Sequence, residues 1–230
     1  MAVTLVFAHR GAAHRAPENS VVAFLEAHRL GADGVELDVR RSSDGALVVH
    51  HDSSVPGLGP IAELTVAQLP DHVPLLDAAL DACAGMRVNI EIKNEAPSAS
   101  SEAPDALALA VVRTALEVRA REELLISSFD LATLDAVRVA DPDLEVGWLL
   151  DLTEDPRAAL DVALGRGFSA LHPFVLSVTA ELVEVAHSSG LAINTWTVNA
   201  RHDLEAMVAL GVDVVITDDV PLARSVADRR

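Results

Sequence analysis

At 230 residues, half of them apolar, the chain is long enough to bury one substantial core, and it is read as a single domain over residues 1–230. A formal net charge of −18 excludes sequence-independent attraction to nucleic acid or to an anionic membrane over the molecule as a whole, and no apolar run reaches the roughly 18 uninterrupted residues of a membrane span. One cysteine, Cys83, excludes an intramolecular disulfide and a thiolate metal cluster, which fits a reducing cytoplasm.

The chain opens on "VTLVFAH" (residues 3–9), a β-rich run with no basic segment before it, so it reads as a first strand and not as a leader. Asn19 and Ser20 read as caps of the amphipathic "SVVAFLEAHRLG" (20–31). "GVELDV" (34–39) is the second strand, and the β-like "ALVVHHD" (46–52) reads as part of an elaborated loop behind it. "RVNIEIK" (87–93) is the third. The stretch 94–105, rich in Ser, Ala, Pro and Glu, has no apolar period; it reads as a loop and a candidate lid.

Strands four to six are "ELLISSF" (123–129), "LEVGWLL" (144–150) and "SALHPF" (169–174). "LAINTWTV" (191–198) and "DVVITD" (213–218) complete eight, with helical patterns between them such as 130–140, opened by Asp130, and 203–211, closed by Gly211. Eight strands alternating with helices predict a single-domain (β/α)8 TIM barrel. The rival, an open doubly wound sheet, lacks its glycine-rich first turn here.

Barrel strands send alternate side chains inward. In 34–39 that puts Glu36 and Asp38 opposite Val35, Leu37 and Val39; in 87–93 it puts Asn89, Glu91 and Lys93 opposite Val88, Ile90 and Ile92. These acids sit toward the strand exits, where such barrels build their sites. Three carboxylates in one mouth raise each other's pKa unless a cation compensates, and oxygen-only ligation points to Mg²⁺ or Ca²⁺ ahead of Zn²⁺. A single strand-end acid is more often a solvated edge; matching parity in three carries the metal reading.

"HRG" (9–11), "PENS" (17–20), "GVELDV", "DGALVVHHD" (44–52), "EIK" (91–93), "SSF" (127–129), "TWTVN" (195–199) and "GVDVVITDDVP" (211–221) together resemble the glycerophosphodiester phosphodiesterase family. The resemblance runs in order over nearly the whole chain. It implies a barrel of the phosphatidylinositol-phospholipase-C type, a divalent metal on Glu36, Asp38 and Glu91, His9 and His51 as the acid–base pair, and Arg10 and Lys93 as phosphate contacts. Trp196, and likewise Phe129, is expected to wall the glycerol moiety, and His172 to line the mouth.

The expected activity is metal-dependent hydrolysis of small glycerophosphodiesters to glycerol 3-phosphate and an alcohol, with no nucleic acid and no stable membrane association. Alternatives are a lysophospholipase D-type activity on lipid diesters and a non-catalytic barrel that binds a phospho-ligand. After Asp52 the connection is short and lacks the basic residue of the family pattern, which leaves the leaving group open. Asp218 and Asp219 read as a strand end and a helix cap.

Overall fold

The computed structural model describes residues 3–94 and 104–228. β1 (Leu5–His9), α1 (Val21–Arg29) and β2 (Gly34–Arg41) come first, followed by three short strands, β3 (Leu47–Val49), β4 (Ser54–Val55) and β5 (Gly59–Pro60). The chain then alternates through α2 (Leu76–Ala82), β6 (Arg87–Ile92), α3 (Pro104–Val118), β7 (Leu124–Ser128), α4 (Leu131–Ala140) and β8 (Glu145–Leu149). It ends with α5 (Pro156–Arg166), β9 (Ala170–His172), α6 (Ala180–Ser188), β10 (Ala192–Thr195), α7 (Arg201–Leu210), β11 (Val214–Thr217) and α8 (Val220–Ala227).

Parallel pairing runs β1, β11, β10, β9, β8, β7, β6, β2, and β2 pairs back to β1 through Ala8 with Val35 and His9 with Glu36. The eight strands close into a TIM barrel, and each expected strand is present within a few residues of its expected ends. The run 46–52 contributes β3, which pairs antiparallel with the far end of β2, Val39 opposite Val49. Of the candidate lid at 94–105, residues 95–103 lie outside the described residues.

Parity divides the apolar residues of the barrel strands into two cores, and a third small cluster of Val48, Val55, Ile61 and Leu64 packs within the connection after β2. Val35, Leu37, Val39, Val88, Ile90 and Ile92 face outward into one large cluster with the helices, where each fully buried aliphatic side chain contributes about 1.5–3 kcal/mol. Phe7, Val214 and Ile216, with Leu5 and Trp196, form a small cluster inside the barrel. Helix starts follow the sequence: Ser20 accepts from the Ala23 amide, Asp130 from Ala132 and Thr133, and Asp219 from Leu222. Asn19 does not cap; its φ of +55° turns the side chain into the barrel. Cys83 is buried, and burial pushes its thiol up to about 12. Among the described residues no helix is long and apolar enough to cross a membrane.

Candidate active site

The exit of β1 turns through left-handed backbone. Arg10 and Gly11 both adopt positive φ, +54° and +79°, and a Cβ on Gly11 would sit 2.8 Å from Ala23. For Arg10 this backbone is disfavoured by about 1–3 kcal/mol. It aims the Arg10 amide at Glu36 Oε2, 3.0 Å away, and leaves the guanidinium between Glu18 (3.0 Å) and Asp38 (3.4 Å).

Pairing of β2 with β6 sets Asp38 beside Glu91 and Glu36 beside Asn89. One oxygen from each of Glu36, Asp38 and Glu91 lies within 4.8 Å of the others, and all three side chains are buried. Glu36 Oε1 meets no hydrogen-bond donor. Asp38 Oδ1 and Glu91 Oε1 face the Lys93 ammonium at 3.1 and 2.6 Å. Burial first, and repulsion from Asp38 second, push Glu36 and Glu91 up to about 8.

Asp38 behaves oppositely. Burial works to raise it, but the charges of Lys93 and Arg10 and a hydrogen bond from Asn19 together outweigh that and hold it below the ordinary carboxylate range. Asn19 Nδ2 donates to Asp38 Oδ2 at 2.7 Å, and Asn19 Oδ1 accepts from the Asp38 amide. An all-oxygen set with an orphaned carboxylate atom, converging at this spacing, can hold a hard divalent cation.

Two imidazoles flank the acids. His9 Nδ1 lies 2.7 Å from Asp218 Oδ1, and its Nε2 is 4.0 Å from Glu36 Oε2. Asp218 is itself held by Asn199, whose Nδ2 donates to Oδ2 at 2.6 Å and whose Oδ1 accepts from the Asp218 amide. On the other side, His51 Nδ1 is 2.8 Å from Asp52 Oδ1, and the Arg40 guanidinium donates to the His51 carbonyl. Burial chiefly lowers the His51 pKa.

These groups border one cavity of ≈ 530 Å³, open to solvent, lined by His9, Arg10, Glu36, His51, Glu91 and Lys93 on its charged side. Phe129, Trp196, Leu149, Ile216 and Asn89 complete the lining. Trp196 packs edge-on against Phe129 and Phe174, with ring centroids 5.7 and 5.6 Å apart, and donates through Nε1 to the His172 carbonyl. Lys93 Nζ stands 5.9 Å from the Phe129 ring centre.

His172, expected at the mouth, does not border the cavity: it is 0% exposed inside the barrel, with Nε2 2.9 Å from Asn194 Nδ2. β9 ends at His172 and not at Phe174, and Gly147 on β8 makes the room, since a Cβ there would run into the imidazole. Burial lowers His172 to about 3. Sequence reasoning also missed Asp218 and Asn199 as supports of His9. The available signal was closure itself, since the eighth strand of a barrel must lie against the first and bring 218 beside 9.

A family model described as the glycerophosphoryl diester phosphodiesterase family matches residues 9–222. A glycerophosphodiester phosphodiesterase of Caldanaerobacter subterraneus is 35% identical, covering 94% of this chain and 94% of its own. The crystal structure of a glycerophosphodiester phosphodiesterase from Thermotoga maritima superposes with a TM-score of 0.81 at 28% identity, over 95% of this chain and 96% of that one. An Oleispira antarctica phosphodiesterase, solved with the product sn-glycerol 3-phosphate, has the same fold: TM-score 0.88 at 23% identity, covering 98% and 97%.

Proposed function

The chain belongs to the glycerophosphoryl diester phosphodiesterase family and is a phosphoric diester hydrolase; from that premise we propose that it hydrolyses small glycerophosphodiesters to sn-glycerol 3-phosphate and an alcohol, with Mg²⁺ or Ca²⁺ on Glu36, Asp38 and Glu91 and with His9 and His51 as general acid and base. The single observation that carries the reading is convergence. Three buried acid oxygens lie within 4.8 Å of one another, and two of the acids, Glu36 and Glu91, border one cavity with two imidazoles and two cationic side chains. The product bound to the Oleispira relative is in keeping with this substrate class.

Glu36, Asp38 and Glu91 would hold a divalent ion, which would supply positive charge beside a phosphoryl oxygen and acidity to the attacking hydroxyl. The chain's own groups do the rest. Each histidine has Nδ1 engaged by an aspartate, Asp218 for His9 and Asp52 for His51, which leaves Nε2 as the nitrogen for proton transfer. One imidazole takes the proton of the nucleophile and the other protonates the departing alkoxide. Arg10 offers a forked donor to phosphate and Lys93 a point charge. With phosphate bound, these cations offset locally the repulsion of a chain that carries −18 overall.

A non-catalytic binding barrel has no use for two imidazoles each fixed by a carboxylate. Lipid diesters have one observation in their favour: Leu152 and Leu176, 72% and 76% exposed, with Phe129, stand on the connections that leave β8, β9 and β7 at the mouth. Comparing glycerophosphocholine with lysophosphatidylcholine decides between the substrates. The test of the main reading is glycerol 3-phosphate release from a panel of glycerophosphodiesters after chelation and return of Mg²⁺, Ca²⁺ or Mn²⁺. Turnover that persists in excess EDTA, or a divalent response that survives Glu36→Gln with Glu91→Gln, defeats the metal assignment.

A further inference from the structure

Asn89 stands on β6, two residues before Glu91, paired in register with Glu36 on one side and Leu125 on the other. It is 1% exposed, it borders the catalytic cavity, and no protein group pairs either end of its carboxamide, Nδ2 or Oδ1. Buried polar atoms in folded proteins are nearly all hydrogen-bonded, and an amide left bare at both ends weakens the fold that carries it. Ser127 Oγ, His172 Nδ1 and Asn194 Oδ1 also lack partners, but these residues do not border the cavity. Asn89 is therefore the unpaired amide that a bound molecule can reach.

Its chemistry selects the partner. A carboxamide presents donors at Nδ2 and an acceptor at Oδ1. Phosphate oxygens only accept, so a phosphate there would leave Oδ1 bare; a cation would satisfy Oδ1 alone and leave Nδ2 bare. A hydroxyl both donates and accepts, and two vicinal hydroxyls match the two ends of an amide at once. In a glycerophosphodiester, that group is the unesterified diol of the glycerol moiety.

We propose that Asn89 is a specificity-determining residue that reads the free vicinal diol of the substrate's glycerol at the cavity floor, by donating from Nδ2 to one hydroxyl and accepting at Oδ1 from the other. The inference rests on the phosphodiester reading of the same cavity and narrows it to diesters whose glycerol carries no acyl group. An acylated glycerol has lost one of the two hydroxyls, and the amide facing it stays half-paired.

The experiment measures binding as well as turnover. Wild type and Asn89→Leu, which keeps the side-chain shape without its polar atoms, are titrated in Mg²⁺ with sn-glycerol 3-phosphate and with 3-hydroxypropyl phosphate, the analogue lacking the 2-hydroxyl. The expected result is that wild type binds the diol about 10–100-fold more tightly and Asn89→Leu binds both ligands alike, with a melting temperature equal to or above that of wild type. Asn89→Ala, which adds no branching, should lose the same discrimination.

Wild type that binds the two ligands equally, or variants that retain the preference, overturn the proposal; so does a variant that weakens both ligands equally, which would place Asn89 on the phosphate or the metal. Discrimination in binding without glycerol 3-phosphate release from glycerophosphocholine would sink the phosphodiesterase reading and leave the diol site standing. Turnover without discrimination would do the reverse.

Discussion

At the N-terminal end of the barrel, Leu5, Phe7 and Val214 fill the interior with apolar packing, and the Arg87–Glu145 ion pair lies partly in solvent beneath them. Toward the C-terminal end of the same barrel stand three buried acids, an amide with both ends bare, and Arg10 and Asn19 at positive φ. One end is mostly apolar packing, with Arg87 Nε as its unpaired buried atom, and the other gathers several polar groups that want partners. The two share one hydrogen-bonded ladder, so packing below can hold unfavourable chemistry in place above. If that division is real, substitutions at the mouth remove activity and leave stability, and substitutions at the base do the reverse.

The largest expected effect is at the mouth. Replacing His51, or His9, by Ala should lower turnover roughly 10²–10⁴-fold while the melting temperature stays near that of wild type. His51 is partly exposed and its ring is fixed by the exposed Asp52 alone, so little packing is lost. A His51→Ala protein with full phosphodiesterase activity would remove that imidazole from the mechanism. The counterpart at the base is Phe7→Ala. Phe7 is 2% exposed within the inner cluster, and its truncation should cost about 3–5 kcal/mol of folding free energy, read from denaturant unfolding. Loss of well under 1 kcal/mol would mean that the inner cluster is not what braces the site.

How far the sequence reveals this division depends on which interactions are local. Strand parity is local, so the inward face of Glu36, Asp38 and Glu91 is legible, and their meeting follows once strands two and three are neighbours. The cap of α4 by Asp130 is local for the same reason. Asn19 looks like a cap because cap residues and left-handed turns draw on the same side chains, and only its φ decides that it serves Asp38. Asp218 supports His9 across 209 positions, which no local pattern encodes. His172 is misjudged because its depth depends on where β9 stops and on a glycine in the neighbouring strand β8.

A pH experiment sharpens the comparison at intermediate size. Glu36 and Glu91 titrate near 4.5 in the unfolded chain and at about 8 in the fold. Between those values the folded state holds more protons, so stability falls as pH rises through the folded pKa. The lowered Asp38 acts only below its own unfolded value of 3.8. His51 and His172, both lowered, oppose the trend only below about 6.5. From about pH 7 to about pH 8.5, therefore, chelated protein should lose several degrees in melting temperature, and a saturating divalent cation should abolish that loss. A flat profile in EDTA would show that Lys93 and Arg10 already compensate the ionised acids.

The smallest effect is expected where two ion pairs of nearly equal length can be set against each other. Arg87–Glu145 spans 2.5 Å with side chains 34% and 47% exposed, and Lys93–Glu91 spans 2.6 Å with side chains 14% and 9% exposed. In the exposed pair, water screens the charges and two long side chains lose freedom to hold one geometry, so the net gain is at most about 1 kcal/mol. For a chain of this size that amounts to a shift of about 2–4 °C. Glu145→Gln should therefore lower the melting temperature by no more than that, by less still in added salt, with glycerol 3-phosphate release unchanged. A larger fall, or any loss of turnover, would mean that the base of the barrel is coupled to the mouth by charge and not by packing alone, and the separation of the two ends would fail.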